Sequence, residues 1–247
     1  MNWSQSKAKD FPTMCPRRFE GVYVHGLRPK PTEEMVKGLY FEYKCLGATA
    51  HGDTPQLALL STGKKSADHQ RIDDQVVRFN ELFRPDSSEY QGHEITHRQL
   101  LLSAQFEDTT IEGTLDFVTK AENHYVNDLK LTSDINGYWG DPSQIDHTQA
   151  ITYSWLYEKN FGVWPSFRYW VFDYSTKKNV KIIDILVTDE TLEKTLRLYT
   201  QYDKLFSHYA EEEEFPTTPD PLQCSKCLVS CADRLIKSTI QYEQVRV

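Results

Sequence analysis

The spacing of apolar residues divides the chain into two regimes. Between Glu33 and Leu46, Met35, Val36, Leu39, Tyr40, Tyr43 and Leu46 recur at helical spacing, and Ile72, Val76, Phe79 and Phe83 do the same over 67–83, where Pro85 and Asp86 stop the pattern. The stretch 47–65 between them is rich in Gly, Thr and Ser and reads as a loop. The period then falls to two. Segments 94–106, 110–119 and 125–131 are expected to be strands joined by short polar turns, with a tight turn near 121–124. Helical spacing returns over 143–160 and ends before Pro165. Two more strands are expected over 166–174 and 179–187, followed by a helix that Asp189 caps and that runs to about Ala210. Residues 1–31 read as irregular, apart from a short helix opened by Cys15-Pro16. The tail holds Pro216, Pro219 and Pro221, then cysteines, then a short helix from Ala232.

This order of helices, three strands, helix, two strands and helix predicts an α/β layer fold with a mixed sheet. With 247 residues, one domain over 1–247 is expected, carrying a cysteine-rich C-terminal lobe at 216–247 that packs on segment 1–31.

Composition narrows the class. Hydrophobic residues at 39% and charged residues at 26% are those of a globular protein. The first residues lack the apolar run of a secretory signal, and no stretch approaches the roughly 18 apolar residues of a membrane span. A cytoplasmic location and no membrane partner are therefore expected. The net charge of -8 argues against coating nucleic acid by bulk attraction. Charge is unevenly spread, however. Glu211 to Glu214 form an acidic run, while Lys7, Lys9, Arg17, Arg18, Arg28 and Lys30 make the first thirty residues basic. Five cysteines, three of them at 224, 227 and 231, suggest metal or cluster ligation before disulfides. The histidines show neither metalloprotease nor zinc-finger spacing, and no phosphate-binding loop is present.

The chemistry is concentrated in two expected strands. Asp116 lies between Leu115 and Phe117, and Asp128 and Lys130 stand two apart on the next strand, hence on one face. Adjacent pairing would gather two carboxylates and an ammonium on one patch of sheet. Buried like charges are costly unless a cation joins them, and oxygen donors with open positions suit Mg²⁺ or Mn²⁺. Such an ion activates water and stabilises charge on a phosphate oxygen. The alternative is a solvent-facing edge hairpin, since a bare Asp-x-Lys arises readily by chance.

In this region the chain resembles the PD-(D/E)XK nuclease superfamily, in which Gly-x-x-Asp on one strand precedes Asp/Glu-x-Lys on the next. Here these are Gly113-Thr114-Leu115-Asp116 and Asp128-Leu129-Lys130. Gln149-Ala150-Ile151-Thr152-Tyr153 is similar to the Gln-x-x-x-Tyr helix of the RecB-like branch. Gly38-Leu39-Tyr40-Phe41-Glu42 resembles its upstream Gly-x-x-x-His helix, with Glu42 in place of the more usual His.

The resemblance implies a restriction-endonuclease-like mixed sheet flanked by helices. It also implies a catalytic set of Asp116, Asp128, Lys130, Glu42, Gln149 and Tyr153, with Asp116, Asp128 and Glu42 on the ion. Cys15-Pro16-Arg17-Arg18-Phe19 is similar to the early Cys-Pro-Arg-x-Phe of cluster-bearing members, including CRISPR-adaptation and AddB-type nucleases. In those members such a cysteine joins three late ones around a [4Fe-4S] cluster, which implies Cys15, Cys224, Cys227 and Cys231 here. The spacing between Cys227 and Cys231 is shorter than the family's usual gap, and zinc or unligated thiols remain alternatives. The implied activity is metal-dependent DNA cleavage, exonucleolytic on single strands or ends, in recombination, repair or phage and CRISPR processes, with protein partners in a recombination or adaptation complex. Arg17, Arg18, Tyr138 and Trp139 are candidate nucleic-acid contacts, the two aromatics because they follow the second strand of the Asp-x-Lys pair in a Gly-flanked loop. The rival reading is a non-catalytic nucleic-acid-binding or assembly subunit that retains the fold.

Overall fold

Trp3 anchors the first of two units into which the chain divides, Met1–Pro31 with Gln105–Ile111 and Leu196–Val247; the second is Thr32–Ala104 with Glu112–Thr195. The computed structural model describes residues 1–27, 31–47, 67–84, 86–87, 93–175, 179–218, 224 and 227.

In the first unit, α1 (Gln5–Asp10) starts where the Ser4 hydroxyl accepts from Lys7 N–H, and α2 (Pro16–Tyr23) opens with its proline at the first turn. Trp3 is fully buried; its backbone N–H donates to Thr110 O at 2.8 Å, and its indole N–H donates to Asp203 at 2.6 Å. Phe11, Phe19, Tyr202 and Phe206 pack around the indole with ring centroids 5.3–6.3 Å away. The segment read as irregular thus contains a helix. Six residues that bury only Ala8 are too short to show a period, and Ser4 was the one available signal. Further along this unit, Arg17 N–H donates to Pro216 O at 3.3 Å and Thr218 N–H to Cys15 Sγ at 3.4 Å. Of the expected loop at 47–65 only Gly47 is described, and the helix from Ala232 lies outside the described residues.

The second unit is built on the sheet. Helix α3 (Glu33–Leu46) is capped by Thr32, whose hydroxyl accepts from Met35 N–H, and is ended by Gly47 at φ 77°, a left-handed turn that favours glycine. Helix α4 (Ala67–Leu82) follows. Strands β1 (Glu94–Phe106), β2 (Thr109–Lys120), β3 (His124–Thr132), β4 (Ser166–Asp173) and β5 (Asn179–Ile185) form one sheet in that order. The pairs β2–β3 and β4–β5 are antiparallel and β3–β4 is parallel, so the sheet is mixed as expected.

A parallel pair needs a crossover, and helix α5 (Thr148–Phe161) supplies it. This helix begins five residues later than its periodicity suggested. Pro142–Gln144 instead form a separate 3-10 turn, capped by the Asp141 carboxylate. Phe41, Cys45, Ile72, Phe79, Phe117, Leu129, Trp170 and Phe172 build the apolar core between α3, α4 and the sheet. Helix α6 (Asp189–Glu211) ends the described helices, and the acidic run at its end is exposed. Among the described residues no helix is long and apolar enough to cross a membrane.

Candidate active site

Strand alternation explains how a charged patch comes to lie in a buried strand. Asn127 and Leu129 of β3 point into the core, where Leu129 joins the apolar cluster and Asn127 accepts from the Trp170 indole at 2.9 Å. Asp128 and Lys130 therefore face the opposite side. The β2–β3 ladder runs from Lys120↔His124 to Phe117↔Asn127. The next link comes from a side chain: Leu129 N–H donates to Asp116 Oδ2 at 2.7 Å. That bond holds the Asp116 carboxylate against β3. Lys130 Nζ lies 2.6 Å from Asp128 Oδ2, and Gln149 Nε2, delivered by α5, donates to Asp128 Oδ1 at 2.6 Å.

The electrostatics of this group are frustrated. Burial pushes the Asp116 carboxyl well above its ordinary range, the charges of Asp128 and Glu42 push it further, and Lys130 and the Leu129 N–H only partly offset them. Burial also raises Asp128, against the pull of Lys130. For Lys130, burial alone would lower the ammonium's pKa, but Asp128, Asp116 and Glu42 together hold it above the usual value. Two carboxyls and half-buried Glu42 thus compete for one ammonium. Such a set lowers its free energy by taking up another cation. All the donors are carboxylate oxygens, the hard type that Mg²⁺ and Mn²⁺ prefer, and Mg²⁺ commonly takes one or two carboxylates with the rest of its shell from water and phosphate. Among the described residues no three His, Cys, Asp or Glu side chains form a ready ligand group. Asp116 and Asp128 are therefore the pair that fits an ion, with Glu42 near enough to act on Asp116 and Lys130 through its charge.

Around this pair the sequence elements meet in specific ways. A Cβ on Gly113 would lie 2.8 Å from Tyr153 Cε1 and 3.1 Å from Leu156 Cδ1, so the absence of a side chain on β2 lets α5 settle on the strand. Glu42 accepts from Gln99 Nε2 at 2.8 Å. The loop after β3 carries Tyr138, 49% exposed, whose hydroxyl accepts from Asp146 N–H at 2.9 Å. The Tyr138 ring meets Trp139 edge-on at 5.0 Å, and Trp139 lies 5.3 Å from Tyr169. The loop is braced: the Asp134 carboxylate accepts from the N–H groups of Asn136 and Gly137, Lys181 Nζ donates to the carbonyls of Trp139 and Gly140, and a Cβ on Gly140 would sit 2.1 Å from Asn136 O.

Two residues here escaped the sequence reading as parts of the site. Tyr169 pairs with Asp128 in the parallel register, and the Lys130 ammonium lies 5.9 Å from its ring centroid. Burial and then the Asp128 charge push the Tyr169 hydroxyl far up. Gln99 reaches Glu42 from β1. Neither had a signal, because parallel registers and strand irregularities leave no motif. In the first unit, Arg17 donates to Glu20 at 2.7 Å beside Arg18 on α2, Cys224 and Cys227 are buried, and Cys231 lies outside the described residues.

The sequence model of the PD-(D/E)XK nuclease superfamily matches residues 2–232. Among solved structures, a candidate exonuclease from Eubacterium rectale superposes with a TM-score of 0.66 at 16% identity, covering 97% of this chain and 91% of that one. At that identity the likeness is one of fold. SSO0001 superposes with a TM-score of 0.43 at 13% identity over 95% of this chain and 87% of its own. No curated protein matches the chain.

Proposed function

The chain belongs to the PD-(D/E)XK nuclease superfamily, and from that membership we propose that it is a divalent-metal-dependent deoxyribonuclease working at Asp116, Asp128 and Lys130. The observation that carries this reading is the buried, like-charged pair Asp116 and Asp128, with Lys130 Nζ 2.6 Å from the second carboxylate. Solvent-facing hairpin residues would not incur such desolvation.

In this reading Asp116 and Asp128 hold Mg²⁺ or Mn²⁺, and Glu42 adds negative charge beside them. The ion would supply an activated water and charge neutralisation at the scissile phosphate. Gln149 fixes the Asp128 carboxylate by holding Oδ1, which keeps Oδ2 turned to Lys130. The Lys130 ammonium, held protonated by its acidic neighbours, donates to the attacking water or to the phosphate oxygen as charge builds there. Tyr153, seated on Gly113, sets how closely α5 and its Gln149 approach the sheet.

The proposed substrate is a DNA single strand or end. Tyr138 and Trp139 contact the bases, and Arg17 and Arg18 contact phosphates. The E. rectale protein's designation as a candidate exonuclease agrees with cleavage from an end. A recombination, repair, phage or CRISPR-related role in the cytoplasm, alongside protein partners, is proposed on the family resemblance.

The cysteines stand apart from the reaction. Although burial raises the Cys15 thiol, the backbone N–H groups of Thr218, Arg18 and Arg17 draw it below the ordinary value, as suits a thiolate ligand. Yet a [4Fe-4S] cluster or zinc needs converging thiols, and Cys15, Cys224 and Cys227 form no three-ligand group among the described residues. No reaction step is assigned to either.

The test is cleavage of end-labelled single-stranded DNA with Mg²⁺ or Mn²⁺, comparing the wild type with Asp116→Ala and Lys130→Ala, on substrates with open and blocked ends. Metal-dependent loss of label in the wild type alone supports the proposal. Equal cleavage by Asp116→Ala overturns it.

A further inference from the structure

We infer that Gln99 is a positioning residue that holds the Glu42 carboxylate beside the divalent-ion site, so that the charge of Glu42 contributes to ion affinity only while this amide is in place. The inference rests on the reading of Asp116 and Asp128 as ion ligands. It is carried by a separate group of observations on β1.

Gln99 has φ 48°, a left-handed conformation that non-glycine residues seldom adopt and that is rarer still inside a strand. Strand β1 records the consequence in its exposure pattern. From Glu94 to Arg98 the even-numbered residues are the exposed ones, Gln99 and Leu100 are both half-buried, and from Leu101 to Gln105 the odd-numbered residues are exposed. A reversal of phase at a left-handed residue is the mark of a bulge, a device that re-aims side chains next to functional sites. Here it turns the Gln99 amide onto α3, where Nε2 donates to Glu42 Oε1 at 2.8 Å.

The other end of the amide makes the arrangement harder to explain as packing. Gln99 Oε1 is buried and has no hydrogen-bond partner among the described residues. A strained backbone and an unsatisfied buried acceptor are both unfavourable. What they achieve together is one charge-bearing contact, to a carboxylate whose field reaches both Asp116 and Lys130. Outer partners around a metal site work in this way, fixing the orientation of a neighbouring charged group without touching the ion, and their loss typically weakens metal affinity about 10–100-fold.

The experiment reads Mn²⁺ affinity of the full-length, metal-free protein by electron paramagnetic resonance, with no substrate present. Gln99→Gly is the first variant, because glycine accepts the left-handed backbone and removes the side chain with its amide. Gln99→Asn is the second: it also tolerates that backbone, but its amide is one methylene too short to keep the contact. Both are expected to bind Mn²⁺ about 10–100-fold more weakly while melting no lower than the wild type without metal. Asp116→Asn separates the ion site from the role of Gln99. If Asp116→Asn abolishes binding while both Gln99 variants bind within twofold of wild type, the role of Gln99 is refuted and the ion site stands. If Asp116→Asn binds as the wild type does, the ion site itself is refuted and the role of Gln99 with it.

Discussion

The space beside Gly113 is filled by the ring of Tyr153, whose Cε1 would lie 2.8 Å from any Cβ added there. This contact joins two motifs forty residues apart. The glycine of the Gly-x-x-Asp strand receives the tyrosine of the Gln-x-x-x-Tyr helix, and the seat so formed brings Gln149 within 2.6 Å of Asp128. Gly113→Ala should therefore force the ring outward and cost about 1–3 kcal/mol of stability, the usual penalty of overpacking. Thermal denaturation of Gly113→Ala, Tyr153→Ala and the double variant checks it. Sub-additive losses are expected, since the clash needs both groups, whereas strict additivity would mean they do not meet.

Stability of the metal-free protein should fall as pH rises. The Asp116 carboxyl is held well above its ordinary value in the folded state, first by burial and then by Asp128 and Glu42. Between the unfolded value near 4 and the raised folded value, the folded protein keeps a proton that the unfolded chain has released. Folded molecules then bind more protons than unfolded ones, and the stability present below about pH 4 is progressively lost above it. Melting curves across pH for the wild type and Asp116→Asn are the measurement. The variant should gain on the wild type as pH rises, and saturating Mg²⁺ should shrink that gain by stabilising the wild type. A difference independent of pH would contradict the raised carboxyl.

Lys130→Ala should reduce kcat by about 10²–10³-fold, the scale on which losing one preorganised donor slows a reaction that builds negative charge. The Asp128 carboxylate, 1% exposed, would then lose its 2.6 Å ammonium partner. The variant should accordingly melt below the wild type without metal and regain most of the difference with Mg²⁺. Single-turnover kinetics and melting curves on one preparation check both halves, and a variant with wild-type kcat removes Lys130 from the chemistry.

Tyr138→Ala should weaken binding of short single-stranded DNA by about 1–3 kcal/mol, the range for one base stacked on an aromatic ring, while Tyr138→Phe keeps most of the affinity. Oligonucleotides with an abasic position opposite the ring should lose the difference between wild type and Tyr138→Ala. Fluorescence anisotropy with Asp116→Asn as the background, so that no substrate is cut, is the measurement. Equal affinities for all three proteins would rule out stacking at Tyr138.

Much of this molecule was written locally in its sequence. Periodicity set α3, α4 and all five strands within a few residues, because each buries one face against a core and must repeat its apolar residues at its own period. The Asp-x-Lys spacing by itself placed Asp128 and Lys130 on one side of β3, since side chains alternate along a strand. Other features had no local signature. α1 was too short for a period, and the start of α5 was decided by the turn at Pro142–Gln144. Tyr169 comes beside Asp128 only through a parallel register that a crossover of more than thirty residues sets. Gln99 reaches Glu42 only because β1 slips phase at a left-handed residue. The sequence determined which side chains carry the charge. Tertiary structure alone decided how far burial and mutual repulsion would move them, because desolvation and Coulomb energy depend on neighbours that distant parts of the chain supply.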